Sequence, residues 1–233
     1  MKILVLVAGT NEPSNSNVLA DAFIGGMKEA CPEIEIVKYR LKDLTIKHFT
    51  LERYVAACEQ DDDFCKVQDA LLESKGVVIA SPIWNFSVPA HLKNVIDRIG
   101  AVALDEETHS KGQLKAKPFY LIFTGGAPKI AWKALLYLTT MHVSEAIKYY
   151  GGVVVGKHFE PKCMRGRGTF GVVVDQRPMN MGNARRQGER FARIAKTYAE
   201  TGNLPLRIRL SYKFFSFVYR VGNRIMYPIG GLQ

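Results

Sequence analysis

The feature that most constrains the fold of this chain is a series of short apolar runs that alternate with helix-like segments. Four runs are rich in β-branched residues and end at turn residues, at 2–8, 76–81, 118–124 and 152–157. Continuous apolar runs of this length are typical of parallel strands that are buried on both faces. A fifth run at 33–39 alternates apolar and polar residues, which predicts a strand at the sheet edge.

Amphipathic patterns separate or follow these runs and predict helices over 17–30, 62–74, 89–99, 130–149 and 181–200. Strand and helix therefore alternate along the chain. That order predicts an α/β fold, in which helices cover both faces of a five-stranded parallel sheet to give a three-layer sandwich.

Composition excludes several classes of protein. The 233 residues are 47% hydrophobic and 23% charged, which suits one globular core. The apolar run from Ile3 to Ala8 is too short for a signal peptide, and no run approaches the roughly 18 apolar residues of a membrane-spanning helix. The four cysteines lack C-x-x-C spacing, so we expect reduced structural thiols in a cytoplasmic protein. No metal site is predicted.

We expect the ligand-binding site at the carboxyl ends of the strands, since ligands of open parallel sheets bind there. Three loops occupy that position, at 9–17, 81–89 and 124–128.

The first loop concentrates small polar residues where a strand leads into a helix. A helix N-terminus carries partial positive charge and unpaired N–H groups, so it can hold a phosphate without Lys or Arg. The P-loop and G-x-G-x-x-G patterns are absent. Simple helix capping by a serine is the alternative. The predicted phosphate-binding residues are Thr10, Ser14, Asn15, Ser16 and Asn17.

The second loop joins apolar and polar side chains in a way that suits a pocket. Trp84 and Phe86 offer flat faces for a planar ring, and Asn85 could bond its polar edge. Core packing is the alternative. We interpret the nearby His91 as a helix-surface residue. The predicted ligand-binding residues here are Pro82, Ile83, Trp84, Asn85 and Phe86.

The segment SPIWNFSVPAHLKNVID resembles a pattern of NADPH-dependent FMN reductases and flavodoxin-like NAD(P)H:quinone oxidoreductases, (S/T)-P-x-(Y/W)-x-x-S-x-P-x-x-L-K-x-x-I-D. The matching residues are Ser81, Pro82, Trp84, Ser87, Pro89, Leu92, Lys93, Ile96 and Asp97. The resemblance covers roughly residues 1–155. It implies a flavodoxin-like sandwich that binds FMN. It also places Thr124, Gly125 and Gly126 of the third loop against the flavin ring, although a plain turn is the alternative there.

The resemblance further implies that NADPH or NADH donates electrons and that a small acceptor, such as a quinone, a flavin, an azo compound or a metal, receives them. No catalytic acid or base is predicted, because a flavin carries the redox chemistry itself. Two alternatives remain open: a non-enzymatic flavodoxin-type electron carrier, and a membrane- or partner-binding protein that retains the fold. Asn11 and Glu12 stand where family members often have an Arg.

The basic charge lies in the last third of the chain. Residues 157–233 carry 15 Lys or Arg and 4 Asp or Glu, a net charge of +11, whereas the first 156 residues carry 17 and 18, a net charge of −1. We expect a flavodoxin-like domain over 1–202 and a basic amphipathic extension over 203–233.

The extension could serve several kinds of contact. The segment 204–227 has no acidic residue, and a polar stripe falls at helical spacing, at Arg209, Lys213, Ser216, Arg220 and Asn223. Packing within a homo-oligomer, a dimer or tetramer as the resemblance implies, is favoured over peripheral membrane contact. Nucleic-acid binding is disfavoured, because no recognised binding motif is present.

Overall fold

Five parallel strands form a single sheet in the computed structural model, which describes residues 1–58, 62–164 and 171–210. The sheet order is β2-β1-β3-β4-β5, the order of flavodoxin-like folds. The predicted flavodoxin-like α/β sandwich is therefore confirmed, and β2 lies at the edge as its alternating pattern predicts. The strands are β1 (Lys2–Val7), β2 (Glu35–Arg40), β3 (Val77–Pro82), β4 (Pro118–Thr124) and β5 (Val153–Glu160).

Helices cover both faces of the sheet. On one face lie α1 (Asn15–Ala30) and α6 (Pro178–Thr201), and on the other lie α2 (Phe64–Glu73), α3 (Ala90–Ala103) and α5 (Tyr137–Tyr149). The helix predicted over 130–149 is divided into α4 (Lys129–Ala131), a π-helical segment (Trp132–Leu136) and α5. Side chains of β1, β3 and β4 are buried on both faces, as their continuous apolar runs predict.

α1 and α6 approach so closely that a glycine is required between them. A Cβ added to Gly188 would lie 2.0 Å from the carbonyl oxygen of Phe23 in α1. The side chain of Phe23 packs with Phe191 of α6 and Tyr120 of the sheet, with ring centroids 5.8 and 4.6 Å away respectively. α6 is therefore an integral part of the sandwich, although its sequence lies beyond the resemblance.

The loop between β2 and α2 corrects one prediction. A disulfide joins Cys58 to Cys65, whose Cα atoms are 5.2 Å apart, whereas Cys31 and Cys163 are free and buried. The guanidinium of Arg98 draws this loop inward, since it donates to the Asp62 carboxylate at 2.6 Å and to the Ala57 carbonyl at 2.6 Å. The prediction of reduced thiols is wrong for this pair, because long-range anchoring brings the two cysteines together.

The chain beyond α6 is described only in part. α6 ends at Thr201 and is followed by Gly202 in the left-handed conformation, with φ of 68°. Residues 211–233 hold most of the predicted amphipathic helix, which therefore lies outside the described residues. The domain boundary at 202/203 stays a prediction. None of the described helices is both long and apolar enough to cross a membrane.

Candidate functional site

The three predicted loops meet in a cleft at the carboxyl ends of β1, β3 and β4. The space between the loops, part of which is open to solvent, measures about 470 Å³. A fourth segment, which follows β5, completes the wall. The lining residues are Gly9, Thr10, Asn11, Ser14, Asn15, Ser16, Pro82, Ile83, Trp84, Thr124, Gly125, Gly126, Cys163 and Met164.

The first loop presents two hydroxyl groups at the start of α1. Ser14 is the N-cap, and its Oγ accepts from the Asn17 amide at 3.4 Å and lies 3.0 Å from the Ser16 Oγ. Both serines are buried. A Cβ on Gly9 would lie 2.1 Å from the Ser14 Oγ and 2.3 Å from the Ser16 Oγ. Glycine at this position therefore lets the two hydroxyls stand beside the end of β1.

The side chain of Asn15 joins two segments that are distant in sequence, and Asn15 also lines the cleft. Its Nδ2 donates to the Gly171 carbonyl at 2.9 Å, and its Oδ1 accepts from the amides of Val173 and Val174 at 2.9 and 3.3 Å. These bonds tie the segment before α6 to the start of α1. Asn17 is not part of the lining, and its Nδ2 donates to Asp21 at 3.2 Å.

The second loop turns sharply after Trp84. The amides and carbonyls of Trp84 and Ser87 exchange two hydrogen bonds of 2.8 Å, and Asn85 and Phe86 form the tip with φ of 46° and 64°. Trp84 lines the cleft, whereas Asn85 and Phe86 are exposed, Phe86 by 73%. The turn directs these two residues toward solvent, so the structure does not bring them into the cleft wall.

The remainder of the matched segment stabilises α3. Leu92 and Ile96 are buried in the core, and Lys93 forms an exposed ion pair of 2.6 Å with Asp97 one helical turn later. His91 departs from the prediction of a surface residue. It is half-buried, and its Nε2 lies 2.9 Å from the carbonyl oxygen of Ala8. His91 therefore links α3 to the end of β1, because the two carboxyl-end loops are neighbours.

The third loop is held against the end of β5. The Gly125 amide donates to the Glu160 carbonyl at 3.0 Å, and the Cys163 amide donates to the Gly125 carbonyl at 2.9 Å. Phe159 lies behind Gly125 and stacks on Trp132, with ring centroids 4.7 Å apart. The backbone of the third loop is therefore fixed from both sides.

The carboxylate of Glu160 organises this part of the wall. Its Oε1 accepts from Arg177 Nη1 and Asn180 Nδ2, each at 2.7 Å, and its Oε2 lies 3.3 Å from His158 Nε2. Burial alone would raise the pKa of the Glu160 carboxyl, but the hydrogen bonds from His158, Arg177 and Asn180 hold it below its usual value. Arg177 also donates to the Pro161 carbonyl at 2.7 Å, so α6 fixes the chain that leads into the cleft.

Four lining residues were not among the predicted binding residues: Gly9 and Asn11 belong to the predicted first loop, whereas Cys163 and Met164 lie outside all three predicted loops. Burial raises the pKa of the Cys163 thiol to about 12, so the group is a neutral thiol near pH 7 and not a nucleophilic thiolate. Cys163 and Met164 could have been predicted as cleft residues if the end of β5 had been placed correctly. The last residues of β5, His158 and Glu160, are polar, so the sequence does not indicate that the strand continues through them. The strand was predicted to stop at 157.

The cleft suits a ligand with a phosphate at one end and a planar ring at the other. Hydroxyl groups and the first-turn amides of α1 lie at one end, while Trp84, Ile83 and the glycine-bearing third loop lie at the other. None of the described lining residues carries a charge. Of the predicted binding residues, Asn17, Asn85 and Phe86 lie outside the lining, and the others come together in it.

Comparisons with known proteins identify the family of the chain and proteins that share its fold. Residues 1–158 match the family model described as NADPH-dependent FMN reductase. An FMN-dependent NADH:quinone oxidoreductase of Coprothermobacter proteolyticus is 31% identical over 167 residues, which are 64% of this chain and 81% of the relative.

Two solved structures share the fold. An NAD(P)H:quinone oxidoreductase from Methanothermobacter marburgensis has a TM-score of 0.63 at 17% identity, over 82% of this chain and 96% of that one. An FMN-dependent NADH-azoreductase from Bacillus anthracis, in complex with FMN, has a TM-score of 0.56 at 19% identity, over 84% and 100% of the two chains. The family match covers more than half of the chain, and on that ground the chain belongs to the NADPH-dependent FMN reductase family.

Proposed function

We propose that the chain is an oxidoreductase that binds FMN in the cleft and passes electrons from NADPH or NADH to a small acceptor. The observation that carries this proposal is the convergence of three sequence-distant loops on one uncharged cleft at the start of α1. Membership of the family and the FMN-dependent quinone and azo reductases among the similar proteins support it.

The residues present fit FMN. The hydroxyls of Thr10, Ser14 and Ser16 and the first-turn amides of α1 would bind its phosphate. The segment Pro82–Trp84 and the backbone of Thr124–Gly126 would hold its ring. The side chain of Asn15 would act by keeping the loop in place, since its polar atoms already bond the segment before α6.

FMN, when bound, supplies the capacity to accept a hydride and return electrons to an acceptor. The chain itself would bind and orient FMN and would exclude water from the ring. Trp84 and Ile83 would shield one side of the ring with apolar surface, and the backbone of the third loop, fixed through the Glu160 and Cys163 bonds to Gly125, would keep its donors in position. The buried neutral thiol of Cys163 donates to the Glu160 carbonyl at 3.3 Å and provides no base.

We expect a quinone, a flavin, an azo compound or a metal as the acceptor. We also expect a homo-oligomer in the cytoplasm. Exposed apolar side chains on and around α5, Ile130 at 81% and Leu138 at 66%, favour an apolar contact with another copy. The segment 203–233 would take part in that contact or lie on a membrane surface. Light scattering of the full chain and of a chain ended after Asn203 would measure its contribution to assembly.

The experiment that tests the proposal is an anaerobic absorbance measurement on the FMN-loaded protein. Addition of NADPH or NADH should bleach the flavin band, and later addition of a quinone should restore it. Free FMN at the same concentration is the control for unassisted reduction. Bound FMN that bleaches no faster than free FMN would contradict the proposed reductase activity.

A further inference from the structure

A pair of basic side chains lies beside the first loop, outside the cleft. Arg40 ends β2, and Lys42 follows two residues later. Both bond the carboxylate of Glu12: Arg40 Nη1 contacts its Oε1, and Lys42 Nζ lies 2.6 Å from the same oxygen. Asp43 approaches Lys42 only to 3.8 Å. These bonds hold the pKa of the Glu12 carboxyl below its usual value, so Glu12 is an anion held between two cations.

Arg40 has more hydrogen-bonding capacity than Glu12 uses. Its Nε and Nη2 are buried, and in the described part of the chain neither has an acceptor. A buried donor of a charged group without an acceptor is costly. Glu12 bonds Arg40 through one carboxylate oxygen only. The planar guanidinium therefore keeps donors that could bond further oxygen atoms.

The position of Arg40 relates it to the cleft. Its register partner is Val7, two residues before Gly9 of the cleft wall. Side chains alternate along a strand, and Ile36 and Lys38 of β2 both lie on the α1 face, in contact with the core there and with Asp21. Arg40 therefore lies on the same face as α1, near the helix N-terminus that opens on the cleft.

A cation beside the cleft would strengthen the binding of a phosphate at the start of α1. A phosphate group carries up to two negative charges near neutral pH, but none of the described lining residues is a cation. The amides and hydroxyls at the start of α1 can bond phosphate oxygens, yet they do not neutralise them. Arg40 and Lys42 are cations adjacent to that end of the cleft, and Glu12 lies in the loop between them and the lining.

We propose that Arg40 and Lys42 form an anion subsite for a nucleotide phosphate at the edge of the cleft, and that the Glu12 carboxylate occupies this subsite until a phosphate replaces it. The inference rests on the proposed function. The phosphate comes from FMN itself or from the 2′-phosphate of NADPH, which offer the same chemistry. In either case Arg40 would bond phosphate oxygens through more than one nitrogen, and Glu12 would move to solvent.

The test uses the full chain and three single variants. Arg40→Gln removes one of the two cations, and Glu12→Gln removes the competing anion. Lys38→Gln is the matched control, since Lys38 is on the same strand and face and pairs with Asp21 at 2.6 Å. Fluorescence titration compares FMN with riboflavin, and steady-state kinetics of the FMN-loaded protein compares NADPH with NADH. Within each pair, only the phosphate differs.

We expect Arg40→Gln to weaken the phosphate-bearing member of one pair by about tenfold or more and to leave the other member nearly unchanged. Loss in the FMN and riboflavin pair identifies the flavin phosphate as the ligand, and loss in the NADPH and NADH pair identifies the 2′-phosphate. Glu12→Gln should shift the same member toward tighter binding, and Lys38→Gln should match the wild type. Equal effects on both members of each pair, or no effect, would overturn the subsite.

A flavin-independent measurement separates this inference from the proposed function. Inorganic phosphate should raise the melting temperature of the apo wild-type protein and raise that of Glu12→Gln further, but should raise that of Arg40→Gln less, because only Lys42 and the start of α1 remain to bind it. If the protein is never reduced by NADPH or NADH, the proposed function fails while this comparison still decides the subsite. Equal stabilisation of wild type and Arg40→Gln would refute it.

Discussion

Replacing Glu160 by Gln is expected to destabilise the protein by about 2 kcal/mol. The side chain is 2% exposed, and its Oε1 accepts two bonds of 2.7 Å, from Arg177 and Asn180. Hydrogen bonds to a charged group contribute about 1.5–3 kcal/mol each, and Gln keeps a neutral acceptor of the same shape, so roughly half of that is lost. Breaking a fully buried ion pair costs about 3–5 kcal/mol, but the Arg177 side chain is 29% exposed, so water compensates in part.

Urea unfolding and thermal melting measure this loss. About 2 kcal/mol corresponds to a melting temperature about 4–8 °C lower for a domain of this size. Glu189→Gln is the matched control, because Glu189 pairs with Arg193 at 3.4 Å on the exposed surface and should contribute less than about 0.5 kcal/mol. Two results would refute the view that Glu160 organises the cleft wall. In one, Glu160→Gln has the same melting temperature as the wild type; in the other, both variants lose the same unfolding free energy.

Three further outcomes follow from the structure. Gly188→Ala should lose about 1–3 kcal/mol of unfolding free energy because its Cβ would lie 2.0 Å from an α1 carbonyl oxygen, whereas Gly182→Ala, with its nearest neighbour 3.8 Å away, should lose none. Asn15→Ala should lose about 2–3 kcal/mol and speed hydrogen exchange of the Val173 amide, whose acceptor it removes; unchanged exchange would contradict the tether. The folded pKa of Glu160 lies below its unfolded value of 4.5, so its contribution is present above that pH and is lost as pH falls through the folded pKa. The wild type should therefore lose stability below about pH 4.5 more steeply than Glu160→Gln, and parallel pH profiles would be inconsistent with this assignment.

The sheet could be predicted from the sequence because local apolar patterns match the burial of β1, β3 and β4. The end of β5 could not be. His158 and Glu160 look like loop residues, and they belong to a strand because Arg177 and Asn180, distant in sequence, satisfy Glu160. Cys163 was missed as a cleft residue for the same reason, since it follows that strand.

In the candidate site, too, positions set by local sequence patterns could be predicted, and positions set by contacts between distant segments could not. Ser14 and Trp84 could be placed at the carboxyl ends of strands from the alternation of elements alone. Asn15 has the composition of a ligand-binding residue, but its side chain bonds segments about 156–159 residues away, which no local pattern records. The outward turn at Phe86 likewise depends on the hydrogen bonds that close the loop.

The central claim, that FMN binds in the cleft with its phosphate at the start of α1, is tested most directly by titrating FMN against wild type, Gly9→Ala and Gly182→Ala. The added methyl at Gly9 would displace the Ser14 and Ser16 hydroxyls, whereas the one at Gly182 has room. The wild type and Gly182→Ala should bind FMN equally, and Gly9→Ala should bind it at least about tenfold more weakly with an unchanged circular dichroism spectrum. Equal binding by all three, or no binding by the wild type, would contradict the claim.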